Sequence, residues 1–79
     1  MIKILFFGPV AERVGKREVE AEFRAGMRLQ DLRTQLQNQY PAAFEIVCFA
    51  AVNGAHALDM SLPLADRSEV VFMSKYSGG

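Results

Sequence analysis

Glu18-Val19-Glu20-Ala21-Glu22-Phe23 alternates charge with apolar bulk at every step, and a few residues later the period changes. Leu29, Leu32, Leu36 and Tyr40 recur at spacings of three and four, with Gln30, Asp31, Gln35 and Gln37 between them. The first pattern has the two-residue repeat of a half-buried strand in an antiparallel pair. Val19, Ala21 and Phe23 turn to the core, and the three glutamates turn to water. Ala25-Gly26 ends it. The second has the repeat of an amphipathic helix from Arg28 to Tyr40, its apolar stripe laid on the sheet. Pro41 prevents continuation. The helix start is weakly marked, because Met27 or Arg28 stands where Ser, Thr or Asp would normally cap. A strand wetted on one face, followed by a helix with a single stripe, calls for a sheet covered on one side.

Upstream, Ile2-Lys3-Ile4-Leu5-Phe6-Phe7 is short, apolar and β-rich, and Gly8-Pro9 stops it. Alternation sets Ile2, Ile4 and Phe6 on one face and Lys3, Leu5 and Phe7 on the other. Lys3 is the only charge, so its face is the outer one, and Leu5 and Phe7 should be at least partly exposed. Pro9 to Gly15 reads as a short helical turn with Pro near its start and Gly after its end. Downstream, Cys48 to Val52 reads as a strand, Asn53-Gly54 as a tight turn, and Ala55 to Leu58 as a short return strand. Leu62 to Ser68 is a connecting loop, and Glu69 to Met73 is the last strand. Ser74-Lys75-Tyr76-Ser77-Gly78-Gly79 reads as a projecting, flexible tail. The closing strand can pair in parallel with the first across the long crossover. The order strand, strand, helix, strand, short strand, strand is a β-grasp (ubiquitin-like) α+β fold. Its mixed sheet is covered by one main helix. One domain spans residues 1–79, with a body at 1–73 and a tail at 74–79.

Composition excludes several function classes. The chain has 79 residues, 51% of them apolar, enough for one modest core. No apolar run approaches the ~20 residues needed to span a bilayer. The opening segment has no basic region or small-residue cleavage site of a secretory signal. A cytoplasmic protein without membrane contact is expected. Nine basic and nine acidic residues balance, and no concentrated basic stripe offers itself to nucleic acid. One cysteine excludes an internal disulfide, and one cysteine with one histidine cannot build a four-ligand zinc site. Cys48, between Val47 and Phe49, reads as a small buried hydrophobe. His56 has no nucleophile or carboxylate at a telling spacing and belongs on a strand or turn surface.

Ile2-Lys3-Ile4-Leu5-Phe6-Phe7-Gly8, Ala50-Ala51-Val52-Asn53, Leu62-Pro63-Leu64-Ala65-Asp66 with Glu69-Val70, and the closing Gly78-Gly79 stand in a telling order. In that order and at that length the chain resembles, end to end, the small subunits of molybdopterin synthase, a family of ubiquitin-like sulfur carriers. That family often has prolines between its last strand and its glycines. Here Met73-Ser74-Lys75-Tyr76-Ser77 takes their place, and without proline stiffening the tail should be floppier when free.

A terminal diglycine has a physical logic of its own. Glycines make the chain thin and leave φ unrestricted, so the backbone can thread a narrow channel and deliver its carboxylate into another protein's active site. At the end of an arbitrary chain two glycines would be a frayed end; behind this element order they read as the working group. The resemblance implies the chemistry. An adenylating enzyme using ATP with Mg activates Gly79, a sulfur donor protein supplies sulfur, and a thiocarboxylate results. The larger synthase subunit, in a heterotetramer, then takes the tail and passes sulfur to a cyclic pterin precursor in molybdenum cofactor biosynthesis. The small chain is then a non-catalytic co-substrate that itself binds no cofactor or metal. Docking would use Leu5, Phe7, Met73 and Leu58, with tail contacts at Lys75, Tyr76, Ser77 and Gly78. Leu5 and Leu58 could equally be half-covered by loops, whereas an exposed aromatic at Phe7 marks a contact site. A carrier for another product, such as the thiamin thiazole or cysteine, shares the same terminus. So does a ubiquitin-like protein modifier, and an interaction module with an inert tail would share the fold.

Overall fold

Ile2, Ile4 and Phe6 are fully buried, while Lys3 is exposed and Leu5 half-buried, so strand β1 (Ile2–Phe6) has the two faces its alternation predicts. A computed structural model of the chain describes residues 1–75. Tyr76, Ser77, Gly78 and Gly79, and with them the expected flexibility of the tail, lie outside the described residues. Phe7 stays extended and leads into helix α1 (Gly8–Val14), with Pro9 in its first turn. The helix closes at Gly15, whose φ of 84° is left-handed and whose N–H donates to the Ala11 carbonyl at 2.8 Å.

Strand β2 (Glu18–Ala21) runs antiparallel to β1, with Ala21 opposite Ile2 and Glu18 opposite Leu5. It stops two residues short of the expected Phe23 because β1 has no further rung to offer. The Met1 ammonium is drawn to Asp66 Oδ1 at 2.7 Å, and the Met1 carbonyl accepts from the Arg67 N–H at 3.0 Å. Phe23 nevertheless packs against the core.

Helix α2 (Leu29–Gln39) buries Leu29, Leu32 and Leu36. Its start lacks a Ser or Thr cap because other groups take the orphan donors. The Arg28 N–H donates to Asp31 Oδ2 at 2.9 Å, and the Leu29 and Gln30 N–H groups donate to the Leu62 and Met60 carbonyls at 2.9 and 2.8 Å. Pro41 ends this helix and begins another, α3 (Pro41–Phe44), which the sequence reading did not anticipate. Proline suits a first helical turn as well as it stops a preceding one. Helix α3 brings Phe44 edge-on to Phe72 and Phe6, with ring centres 5.1 and 6.4 Å apart.

Strands β3 (Val47–Val52) and β4 (Ala55–His56) form a hairpin. Asn53 and Gly54 both take left-handed φ at its tip, 51° and 84°. That is the backbone of a primed turn, as expected. Strand β4 is shorter than the expected Ala55 to Leu58. Asp59 accepts from the Ser61 N–H and hydroxyl at 2.9 and 2.6 Å, a local turn that takes the chain off the sheet. Strand β5 (Glu69–Ser74) pairs in parallel with β1, Ile4 beside Val70, and antiparallel with β3, Ala50 beside Phe72. The loop before it is fixed by Ser68, whose hydroxyl donates to the Ala65 carbonyl at 2.7 Å. The strand runs one residue past the expected Met73. Ser74 is therefore a buried sheet residue opposite Val47, not the first residue of a tail.

The sheet order is β2-β1-β5-β3-β4, the β-grasp arrangement. Residues of α1, α2 and α3 join Ile2, Ile4, Phe6, Val70 and Phe72 in one core. The opposite face of the sheet carries no covering element among the described residues. No helix among them is long and apolar enough to cross a membrane.

Candidate functional site

The uncovered face is graded along the strands. Where β1 and β5 begin, its row is Glu20, Lys3 and Glu69; the next row is Glu18, Leu5, Val71, Ala51 and His56. Beyond them Met73 pairs with Phe49. Phe7, extended after β1, continues the side of Leu5. Polar groups thus stand at one end and apolar ones at the other, the end where β5 runs into Lys75. The Lys3 ammonium and Glu18 carboxylate, 3.8 Å apart and both half-exposed, close the polar side.

Phe7 is 49% exposed, as its alternation requires. Leu5 and Met73 are half-buried on the same face. Leu58 is 93% exposed and stands apart, beyond the end of β4. It shares with Phe49, His56 and Met60 the wall of a shallow cavity of about 300 Å³ at the sheet edge. Lys75 is exposed at the mouth of the strand. Tyr76, Ser77, Gly78 and Gly79, the residues expected to carry the chemistry and the tail contacts, are outside the described residues.

Phe49 joins these groups and was missed by the sequence reading. It is 45% exposed, pairs with Met73, and sets its ring edge-on to His56 with centres 6.4 Å apart. The expectation for Cys48 is corrected here too. Between Val47 and Phe49 the β3–β5 register shifts, two residues of β3 advancing against one of β5. Cys48 is the extra residue of a β-bulge, and its side chain is exposed rather than buried. His56 is on the surface, as expected.

Among the described residues two carboxyls are held below the usual range, Asp59 and Asp66. The Ser61 hydroxyl, then the Ser61 N–H, hold Asp59 down; the N-terminal ammonium does so for Asp66. Among the described residues no three His, Cys, Asp or Glu side chains gather closely enough to hold a metal ion. The face offers apolar contact area beside a strand end that points the chain outward.

Residues 4–79 match the family model described as the ThiS family. A molybdopterin synthase sulfur carrier subunit from Caenorhabditis briggsae is 40% identical over 58 residues, which cover 71% of this chain and 69% of that protein. The crystal structure of SAMP1 from Haloferax volcanii aligns with a TM-score of 0.83 at 20% identity, over 99% of this chain and 98% of that one. A structure of the complex of subunits 1 and 2 of the molybdopterin-converting factor from Helicobacter pylori aligns with a TM-score of 0.70 at 24% identity, over 99% and 97%. At these identities the two structures speak for the fold.

Proposed function

The chain belongs to the ThiS family, and from that premise we propose that it is the sulfur-carrier subunit of a molybdopterin synthase, loaded at the carboxylate of Gly79. The observation that carries the reading is the 40% identity to a carrier subunit of that synthase. The graded face supports it physically, because its apolar end adjoins the strand that delivers the chain terminus. A body that must present its end to a second protein needs contact area beside that end.

The chemistry is group transfer at a carboxylate, which is a poor electrophile until activated. In the proposed cycle an oxygen of Gly79 attacks the α-phosphate of ATP on an adenylating partner, with Mg, and pyrophosphate leaves. Hydrosulfide supplied by a donor protein displaces AMP from the acyl carbon, and loss of its proton leaves a thiocarboxylate. The larger synthase subunit then receives the tail, the thiocarboxylate sulfur bonds to a cyclic pterin precursor, and water cleaves the acyl–sulfur bond to return the carboxylate. Phe7, Phe49, Met73 and Leu5 provide the docking area, with Leu58 at its edge. Lys75, Tyr76, Ser77 and Gly78 line the path of the tail. The small chain is consumed and restored as a co-substrate, and the assembly is a heterotetramer.

The test is incubation with a candidate adenylating enzyme, Mg-ATP and a sulfide source, followed by intact mass. Exchange of one oxygen for one sulfur at the terminus is expected, and a chain lacking Gly79 should show none. An unchanged mass under conditions that load a known carrier overturns the reading. One alternative is a modifier joined to lysines as an amide, because a terminal diglycine carboxylate serves that chemistry equally. Conjugates of higher mass in the host, absent after deletion of Gly79, would select it.

A further inference from the structure

The bulge and the end of β5 flank a cleft of about 380 Å³ on the helix-covered side of the sheet, lined by Pro9, Arg13, Ile46, Cys48, Ser74 and Lys75. Two independent features distinguish it. Cys48, pushed outward by the bulge, presents an exposed thiol. Ser74 is 5% exposed, and its hydroxyl oxygen is buried without a hydrogen-bond partner among the described residues. Buried hydroxyls are rarely left unpaired. Ser74 shares the face of Val70 and Phe72, the face on which α1 packs, and it lines the cleft together with Pro9 and Arg13 of that helix.

Among the described residues three charged side chains stand at or beside the cleft. The Arg13 guanidinium donates to the Ala42 carbonyl at 2.9 Å and stands 3.6 Å from a Glu45 oxygen. Glu45 is largely exposed, and Lys75, which is engaged in an interaction of its own, also lines the cleft. Pro9 and Ile46 supply apolar walls. A thiol, a hydroxyl with no partner among the described residues, two cations against one carboxylate, and apolar walls together suit a small anionic molecule that carries sulfur and carbonyl oxygens.

We propose that Cys48 is a thiol–disulfide exchange site that takes up a small, anionic, peptide-like thiol from its disulfide. The Cys48 sulfur, having given its proton to solvent, attacks one sulfur of the disulfide. A Cys48–sulfur bond forms, the original sulfur–sulfur bond breaks, and the departing thiolate takes up a proton. The disulfide is the oxidant, Cys48 is oxidised, and excess free thiol reverses the step. The Ser74 hydroxyl donates to a carbonyl or carboxylate oxygen of the bound group, whose negative charges face Arg13 and Lys75. The step requires nothing of the carrier chemistry proposed above.

The test uses the full, reduced chain and three probes: oxidised glutathione, the neutral bis(2-hydroxyethyl) disulfide and the cationic cystamine. Rates are read by intact mass and compared with those of free cysteine. One glutathionyl group per chain is expected, absent from Cys48→Ser. Glutathione disulfide should be favoured over cystamine on the order of tenfold more than free cysteine favours it, the scale of charge focusing in a cleft. Lys75→Gln should remove part of that preference, read as a fall in the ratio of the glutathione-disulfide rate to the cystamine rate. Ser74→Ala should make the adduct easier to reduce. Absence of an adduct, or a probe preference equal to that of free cysteine, overturns the proposal, and either can be read whether or not Gly79 proves to carry sulfur.

Discussion

Phe6 and Phe7 are neighbours in the chain and opposites in environment: one is fully buried under α3, the other half open to water. Removing each ring should therefore act on a different measurement. Phe6→Ala empties core volume and should cost about 3–5 kcal/mol of folding stability in a urea titration. Phe7→Ala should change stability by under about 1 kcal/mol, yet weaken binding to the larger synthase subunit by roughly thirtyfold or more by calorimetry, the scale of an interface hot spot. A Phe7→Ala chain that unfolds on the Phe6 scale would contradict its outward placement. The face of Phe7 was legible in advance because Lys3 marks the wet side of β1. The face of Phe49 was not, because Cys48 to Val52 contains no charge, and the bulge adds a residue that simple alternation does not count. Asp66 offers a pH readout at the same scale. Its carboxyl is held below the usual range by the Met1 ammonium, so its contribution is complete above about pH 4, near the unfolded value, and fades as pH falls through the lower folded one. The urea midpoint of Asp66→Asn should lie below that of the parent at about pH 7, with the gap closing toward about pH 3.

Hairpin β3–β4 depends on two successive left-handed residues. A Cβ at Gly54 would meet nothing within 4 Å, so Gly54→Ala isolates the backbone penalty of a φ of 84°. It should lower stability by about 1–2 kcal/mol with the sheet otherwise intact, as judged by urea titration and amide exchange. Asn53-Gly54 announced this turn in the sequence. The elements that were not announced depend on partners distant in the chain. The start of α2 is satisfied by the carbonyls of Met60 and Leu62, and the early end of β2 follows from where Met1 is anchored. Asp31 accepts from the Arg28 N–H at that helix start, a contact the sequence analysis did not single out. Asp31→Ala should cost about 1 kcal/mol, as loss of a helix-capping contact does, seen as a lower melting midpoint.

For the molecule as a whole, the two tasks of body and terminus should separate cleanly. Among the described residues the core is built from side chains between Ile2 and Phe72, so a chain ending at Lys75 should keep the urea midpoint of the full chain while losing all sulfur loading. If it unfolds, the terminal residues belong to the fold as well as to the chemistry. The β-grasp order was legible from periodicity alone, and the diglycine from the last two letters. The proposed docking face became complete only when β5 brought Met73 beside Phe49, a pairing of residues 24 positions apart in the chain. The same strand has a mechanical consequence. Because β5 lies between β1 and β3, a partner hauling on the chain beyond Lys75 pulls along the strand axis and loads the rungs on both flanks together, in shear. A terminal strand at the sheet edge would instead peel away rung by rung. The tail can thus be drawn taut into a narrow channel while the body that anchors it keeps its shape.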